Sequence, residues 1–232
     1  IVSATTMAPE VGGAETITTT NGIDVVLGGQ GGDDIETGNN SDVVVGDNGF
    51  AEWVLITVAG VERSVLAAIE STDTSIGGGD MIIVGEDDDV VIAGVGTDYV
   101  NFSNGTNPMP IGVDDGADVI LGDNGEATFD TTTGVALLDE IHTTAAEDGA
   151  GDFIFAGNGS DTVLGGSGGD IIDAGTDGAR DVVLGDNGAA DFDIVLLDEG
   201  PTNSPIDDVK VSVLAAIEST DTSIGGKDNI LV

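Results

Sequence analysis

An aspartate recurs every nine residues along much of this chain. Asp24, Asp33 and Asp42 are nine apart, as are Asp80, Asp89 and Asp98, and Asp152, Asp161 and Asp170. Asp118, Asp181 and Asp228 stand in the same local frame after small insertions. Most of these aspartates open a short run whose next-but-one residue is apolar: DVVL (24–27), DVVV (42–45), DMII (80–83), DVVI (89–92), DVIL (118–121), DFIF (152–155), DTVL (161–164), DIID (170–173) and DVVL (181–184). Each run reads as a strand of three or four residues with one apolar face. The segment before the aspartate is a glycine-rich turn, as in GGQGG (28–32), AGVGT (93–97) and AGNGS (156–160).

One such stretch, GGSGGDIID (165–173), reads two ways. Its first five letters match the G-x-S-x-G elbow of serine hydrolases, with Ser167 as nucleophile. The whole stretch matches the nonapeptide G-G-x-G-x-D-x-U-x, with U apolar, that binds calcium. The elbow needs a long strand entering, a helix leaving and a base. The runs here are too short, and the chain's single histidine, His142, lies in a segment whose other copies hold Ser71 and Ser219. His142 is expected to be an exposed strand residue. No H-E-x-x-H is present, so no zincin site is expected. These residues point away from an enzyme.

The charge balance sets the partners. Forty-four acidic residues face four basic ones, Arg63, Arg180, Lys210 and Lys227, for a formal charge of −40. Nucleic acid and anionic membrane surfaces are excluded by that sign. A compact state would repel itself unless cations join it. The 40% of hydrophobic residues argue against disorder, while 3% aromatics imply a thin core. There is no cysteine, so no disulfide or thiolate metal site, and calcium is another way to staple such a fold. No apolar run reaches membrane-spanning length, so no membrane insertion is expected. IVSATTMAPE at one end and GGKDNILV at the other read as mid-pattern, as expected of a segment of something larger.

The registered nonapeptides resemble the RTX family, the hemolysin-type calcium-binding repeats of secreted bacterial proteins. The likeness covers roughly 19–49, 75–125 and 147–188. It implies an all-β fold built of parallel β-roll, two nonapeptides per coil, with multiple Ca2+ ions between stacked turns. It implies an extracellular or cell-surface location reached by type I secretion. Calcium takes six to eight oxygens from carboxylates and carbonyls. Turns eighteen residues apart would share ions, pairing Asp24 with Asp42, Asp80 with Asp98, and Asp152 with Asp170. Asp161 and Asp181 come close to that spacing. The family pattern adds carbonyls at positions two and four: Gly29 and Gly31, Gly94 and Gly96, Gly157 and Gly159, Gly166 and Gly168. At EDDD (86–89) position four is Asp87 rather than glycine, a departure that puts this turn in doubt.

A longer repeat overlies the short one. VVVGDNGFAEW (43–53), VILGDNGEATF (119–129) and VVLGDNGAADF (182–192) are copies of one segment. Position six becomes Ala51, Ala127 or Ala190, an aspartate moves to position two as Asp47, Asp123 or Asp186, and an aromatic follows as Trp53, Phe129 or Phe192. GDNG reads as a modified calcium turn that ends the regular roll, or as a plain Asn-Gly type I′ turn. The chain then leaves and returns through SVLAAIESTDTSIGGGD (64–80), ALLDEIHTTAAEDGAGD (136–152) and VSVLAAIESTDTSIGGKD (211–228). SVLAAIES could form two helical turns, but its β-branched flanks favour strand.

These signals divide the chain into a lead-in (1–18), roll blocks at 19–53, 75–129 and 147–192, hairpin arms at 54–74, 130–146 and 193–222, and the start of a further turn at 223–232. An irregular loop is expected at 101–112 and another at the tip of the third arm, 198–208. The expected function is a calcium-loaded structural segment of a fibrous, surface-layer or matrix protein, stacking end to end with copies of itself or with adjacent repeats. An adhesin working through the arm tips and the secretion domain of a hydrolase are the alternatives.

Overall fold

The computed structural model describes residues 2–105, 109–111, 114–198, 208–220 and 224–232. The chain is all-β and organised as three stacked sheets. It begins with β1 (Ser3–Thr5) and β2 (Thr16–Thr18), then alternates between two sheets through β3 (Val25–Leu27), β4 (Asp34–Gly38) and β5 (Val43–Val45). A hairpin follows, β6 (Gly49–Val58) and β7 (Val61–Ser71). The cycle repeats with β8 (Met81–Val84), β9 (Val90–Ile92), β10 (Tyr99–Val100), β11 (Val119–Leu121) and the hairpin β12 (Gly125–Asp130) and β13 (Leu137–Thr143). It repeats again with β14 (Phe153–Phe155), β15 (Thr162–Gly166), β16 (Ile171–Asp173), β17 (Val182–Asp186) and the hairpin β18 (Gly188–Asp198) and β19 (Asp208–Ser219). β20 (Asn229–Leu231) opens a further coil.

An outer parallel sheet runs β2-β4-β8-β10-β14-β16-β20, and a central parallel sheet runs β3-β5-β9-β11-β15-β17. The hairpins do not stand apart as arms. They join edge to edge, with β1, in one antiparallel sheet, β1-β6-β7-β12-β13-β18-β19. Nor does GDNG end the roll, because β5 pairs with β9 and β11 with β15 across each hairpin. The physical reason is commensurate height. Strands stack about 4.8 Å apart in any sheet. Each hairpin adds two strands to its sheet while the chain completes two coils of the roll, so all three sheets grow at one rate.

The central sheet is covered on both sides. One core, between the outer and central sheets, holds Ile35, Val44, Ile82, Val91, Ile120, Ile154, Val163 and Ile172. The other, between the central and hairpin sheets, holds Val43, Val45, Ala51, Ile69, Ile92, Leu121, Ala127, Ile141, Leu164 and Ala190. This double burial explains the unbroken triplets VVV, VVI and VIL of β5, β9 and β11, buried throughout. A parallel strand buried on both faces needs no polar alternation. Outer-sheet strands such as β8, whose burial alternates, keep the single apolar face expected from sequence.

The SVLAAIES segment is strand, within β7. In each hairpin an alanine faces an isoleucine, Ala51 with Ile69, Ala127 with Ile141, Ala190 with Ile217, so small and large side chains alternate along the sheet. Each hairpin has a register shift before its aromatic, at Glu52/Trp53, Thr128/Phe129 and Asp191/Phe192. A bulge bends the strand and re-aims its side chains, and pairing between successive hairpins stops short of it. The first hairpin closes on Ala59 and Gly60, both at positive φ as a type I′ turn requires. The expected loop at 198–208 lies, apart from its ends, outside the described residues, as do parts of the loop at 101–112. Among the described residues no helix is long and apolar enough to cross a membrane.

Candidate metal centres

Every strand of the roll must be entered through a turn, and the nonapeptide places its aspartate at that entry. The turn conformation is the one glycine permits. Gly29, Gly31, Gly94, Gly96, Gly157, Gly159, Gly166 and Gly168 all have φ between +93° and +142°, a region side chains rarely adopt. Close stacking adds a second reason: a Cβ on Gly96 would stand 2.7 Å from the Gly79 nitrogen of the next coil. At the departing turn, Asp87 takes φ +86° and stacks on Asn40 at φ +85°, whose Nδ2 donates to Asp87 Oδ2 at 3.1 Å. Asp and Asn tolerate this conformation, so the turn keeps its shape.

The aspartates form two ladders, one on each edge of the roll. On the first, the backbone N–H of Asp33 donates to Asp80 Oδ1 (2.7 Å), Asp80 to Asp98 (2.6 Å), Asp98 to Asp152 (2.8 Å), Asp152 to Asp170 (2.9 Å) and Asp170 to Asp228 (3.1 Å). On the second, Asp24 donates to Asp42 (2.7 Å), Asp42 to Asp89 (2.6 Å), Asp89 to Asp118 (2.8 Å), Asp118 to Asp161 (2.9 Å) and Asp161 to Asp181 (3.2 Å). The pairs expected from eighteen-residue spacing are therefore adjacent rungs. So are pairs 47 or more residues apart, such as Asp33 with Asp80 and Asp98 with Asp152.

One carboxylate oxygen of each rung is thus a structural acceptor that caps the strand below. The other is not. Oδ2 of Asp33, Asp42, Asp80, Asp89, Asp98, Asp118, Asp152, Asp161 and Asp170 is buried and has no hydrogen-bond partner. Burial pushes these carboxyls above the usual range, to about 6 for Asp33, about 7 for Asp161 and Asp170, and about 9 for Asp80, Asp89 and Asp118. Asp98 and Asp152 are raised well above it, by burial and then by neighbouring carboxylates. Neighbouring rungs, about 4.8 Å apart, repel by about 3 kcal/mol at an effective dielectric near 20. No Lys or Arg relieves this: among the described residues the ion pairs are His142 with Glu126 and Glu140, and Lys210 with Asp130.

The free oxygens of the first ladder face glycines across an oxygen-lined cradle. A Cβ on Gly122 would come within 2.6 Å of Asp152 Oδ2 and 2.5 Å of the Gly165 carbonyl oxygen. One on Gly28 would stand 2.6 Å from Asp33 Oδ2, and one on Gly165 2.5 Å from Asp170 Oδ2. Gly46 meets Asp80 Oδ2 and the Ala93 carbonyl in the same way, and Gly185 meets Asp228 Oδ2. A residue without a side chain lets a buried carboxylate oxygen and a carbonyl oxygen pack together against the backbone; both are the hard oxygen donors a cation such as calcium takes, and by that chemistry these residues fit a metal ion. At the matching position the first ladder carries glycine except for Ala93, and the second carries Thr37, Val84 and Ala156.

The second ladder has a different device. Asp114, 3% exposed, joins Asp89 and Asp118, one oxygen of each lying within 4.8 Å of the others. Asn101 Nδ2 donates to Asp114 Oδ2 at 2.8 Å, leaving Oδ1 buried and unpartnered. Burial and the Asp89 charge raise Asp114 to about 8. This third carboxylate was not anticipated from sequence. Its signal was available: Asp114 stands at position two of the frame led by Asp118, the position Asp47 holds in GDNG.

The GDNG aspartates serve differently from the rungs. Asp47 accepts from the N–H groups of Gly78 and Val95, and Asp123 from those of Ala150 and Ser167. Both carboxylates clip a hairpin's start to the coil that follows its end. Neither Asn48 nor Gly49 has the positive φ of a type I′ turn; instead Asn48 Nδ2 donates to the Ile76 carbonyl at 2.9 Å. Asp186 Oδ1, in the last copy, is buried without a partner. Ser167 is 3% exposed, its hydroxyl accepting from Asn187 Nδ2 at 3.2 Å and donating to the Ala146 carbonyl. His142 is half-buried on β13 between Glu126 and Glu140. No family model matches this chain, and no curated protein matches it.

Proposed function

We propose that this chain is a calcium-dependent structural β-roll of the RTX kind, folding and working outside the cell. The observation that carries the reading is the free, buried Oδ2 on successive rungs of both ladders, beside carbonyl oxygens on the first, with no Lys or Arg among the described residues paired to it. Carboxylate and carbonyl oxygens at eighteen-residue recurrence are the ligands calcium prefers. The registered nonapeptides support the same assignment. Asp33, Asp80, Asp152, Asp170 and Asp228 with their facing glycine cradles would hold ions on one edge, and Asp89, Asp114 and Asp118 on the other. The bound ion supplies positive charge. The protein's own residues supply a preformed acceptor row, a dry environment and a backbone frame that fixes rung spacing.

The consequence is linkage between calcium and folding. Without the ion, stacked carboxylates must be buried charged or be protonated, and both oppose the native state near neutral pH. With it, binding free energy becomes folding free energy. Extracellular calcium modules bind at roughly 10⁻⁴–10⁻³ M, a range met outside a cell. The role is mechanical rather than catalytic: a rigid rod segment whose order depends on calcium. Circular dichroism in chelator, then in millimolar calcium, tests this. The expected change is from coil to β, with calcium uptake measured by calorimetry. A spectrum already fully β in chelator at neutral pH, unchanged by calcium, would overturn it.

A further inference from the structure

The first strand of the fold takes the place that the second strand of each hairpin holds further along. Pairing between successive hairpins always covers three residues: Ala68, Ile69 and Glu70 with Thr128, Ala127 and Glu126, then Glu140, Ile141 and His142 with Asp191, Ala190 and Ala189. β1 makes the same three-residue junction on β6, with Ala4 opposite Ala51. Ala4 therefore occupies the place that Ile69 and Ile141 hold in the interior. The likeness continues along the chain. The Glu15 N–H donates to Asp33 Oδ1 at 2.7 Å as the Asp80 N–H does to Asp98 Oδ1, and β2 then pairs with β4 in the outer sheet.

The other end presents what this junction lacks. Ile69 and Ile141 are fully buried, each between two alanine-bearing strands, whereas Ile217 has Ala190 on one side only and is 42% exposed. Leu66 and Leu138 are buried while Leu214 is 36% exposed. Ile82 and Ile154 are fully buried while Ile230, their counterpart in β20, is 42% exposed. Among the described residues no strand pairs with the outer edges of β17, β19 and β20, and unpaired strand edges are templates for further strands.

We infer that two copies of this chain join head to tail by strand exchange: residues 216–231 of one copy replace residues 3–18 of the next. Ile217 of one copy then sits opposite Ala51 of the other, as Ile69 sits opposite Ala127. β20 takes the place of β2 beside β4, and β3, whose outer edge is free in the central sheet, meets β17. The replacement favours exchange because Ile217 buries more apolar surface on Ala51 than Ala4 does. Opposing it are the tethering of residues 3–18 to their own chain, which gives them a high effective concentration, and mutual repulsion of two highly acidic copies. Association is thus expected at high protein concentration with calcium and salt present. The two ends of one copy differ, so the contact is heterologous and propagates into chains. The inference rests on pairing geometry and not on metal occupancy.

Crosslinking tests it. The chain has no cysteine, so Ala51→Cys with Ile217→Cys introduces a single pair. Within one copy these positions lie on β6 and β19, five strand spacings apart in the hairpin sheet. That separation is about 24 Å at 4.8 Å per strand, beyond disulfide reach. Oxidation in millimolar calcium is expected to give a reducible ladder of trimers and larger species, which either single-cysteine variant cannot form. The pair Ala4→Cys with Ala51→Cys is the control and crosslinks within one copy. Sedimentation of cysteine-free protein is the second measure, with Ala4→Asp, which weakens the plug, raising the mass and Ile217→Asp abolishing association. Calcium binding is followed separately by calorimetry. Calcium-bound, folded protein that stays monomeric at high concentration, with only the control pair crosslinking, would overturn the exchange and leave the calcium reading standing.

Discussion

The backbone N–H of Asp98 donates to Oδ1 of Asp152 at 2.8 Å, across 54 residues of sequence, while Oδ2 of both carboxylates is buried without a partner. Half of each carboxylate closes the backbone between coils. The other half is an unpaid electrostatic cost that only a proton or a cation removes. This division makes the rungs sensitive to both.

Proton dependence follows directly. Asp33 is raised to about 6, Asp123, Asp161 and Asp170 to about 7, Asp47 and Asp114 to about 8, and Asp80, Asp89 and Asp118 to about 9, all chiefly by burial. Their ordinary value is 3.8, so the folded chain binds more protons than the unfolded chain between these limits. Stability in chelator is therefore greatest below about pH 4 and falls as pH rises toward 9. Circular dichroism in chelator should show less β structure at pH 8, where coil is expected, than at pH 5. Calcium should flatten or reverse the trend, because it competes with protons for the same oxygens. A chelated protein whose β content rises from pH 5 to pH 8 would contradict the electrostatic account.

Gly122→Ala tests the cradle. The added methyl would stand 2.6 Å from Asp152 Oδ2 and 2.5 Å from the Gly165 carbonyl, pushing aside two oxygens a cation would use. Overpacking of this kind costs about 1–3 kcal/mol. Calcium affinity should fall with stability, and calorimetry should find fewer ions bound. Gly13→Ala, with nothing within 4 Å of its Cβ position, is the comparison and should change neither.

The nonapeptide strands, the turn glycines and the hairpin strands were legible because each is a local pattern of period nine or two. The third sheet was not, since joining hairpins edge to edge depends on contacts such as Ile69 with Ala127, 58 residues apart. Its trace in the sequence was the apolar triplet: DVVV, DVVI and DVIL have no solvent face, whereas DIET (34–37) and DFIF begin strands that do. Rung order across hairpins was hidden in the same way, because Asp33 meets Asp80 only once the hairpin between them is laid on the central sheet. Asp114 escaped because the frame was read through its position-six aspartates, and an aspartate at position two stood out only where GDNG recurs.

Asp114→Asn should separate charge from shape. The amide keeps an acceptor for Asn101 Nδ2 while removing one of three carboxylates packed together. At pH 8, in the lowest calcium that folds the parent, the variant should melt higher than the parent, at about 2–4 °C per kcal/mol for a domain of this size. In saturating calcium the order should invert, because one ligand charge is lost. Melts of both proteins across a calcium series check this, and a variant that melts lower at every calcium level would show that Asp114 acts through its hydrogen bond alone.

The final expectation compares two isoleucines of identical local sequence role. Ile141 lies between Ala127 and Ala190 and is fully buried; Ile217 lies against Ala190 alone and is 42% exposed. Ile141→Ala removes a core side chain that neighbouring strands cannot collapse onto, a change that costs about 2–5 kcal/mol. Ile217→Ala removes a side chain still partly in water, so in dilute monomer it should cost well under half of that. Urea melts in calcium at low protein concentration measure both. Raising the concentration then distinguishes the sites again. If copies join end to end, Ile217 becomes as buried as Ile141, so Ile217→Ala should lose the concentration-dependent gain in Tm that the parent shows, whereas Ile141→Ala should keep it from a lower baseline. Equal costs for the two substitutions in dilute monomer would mean that the last hairpin is already covered by its own chain.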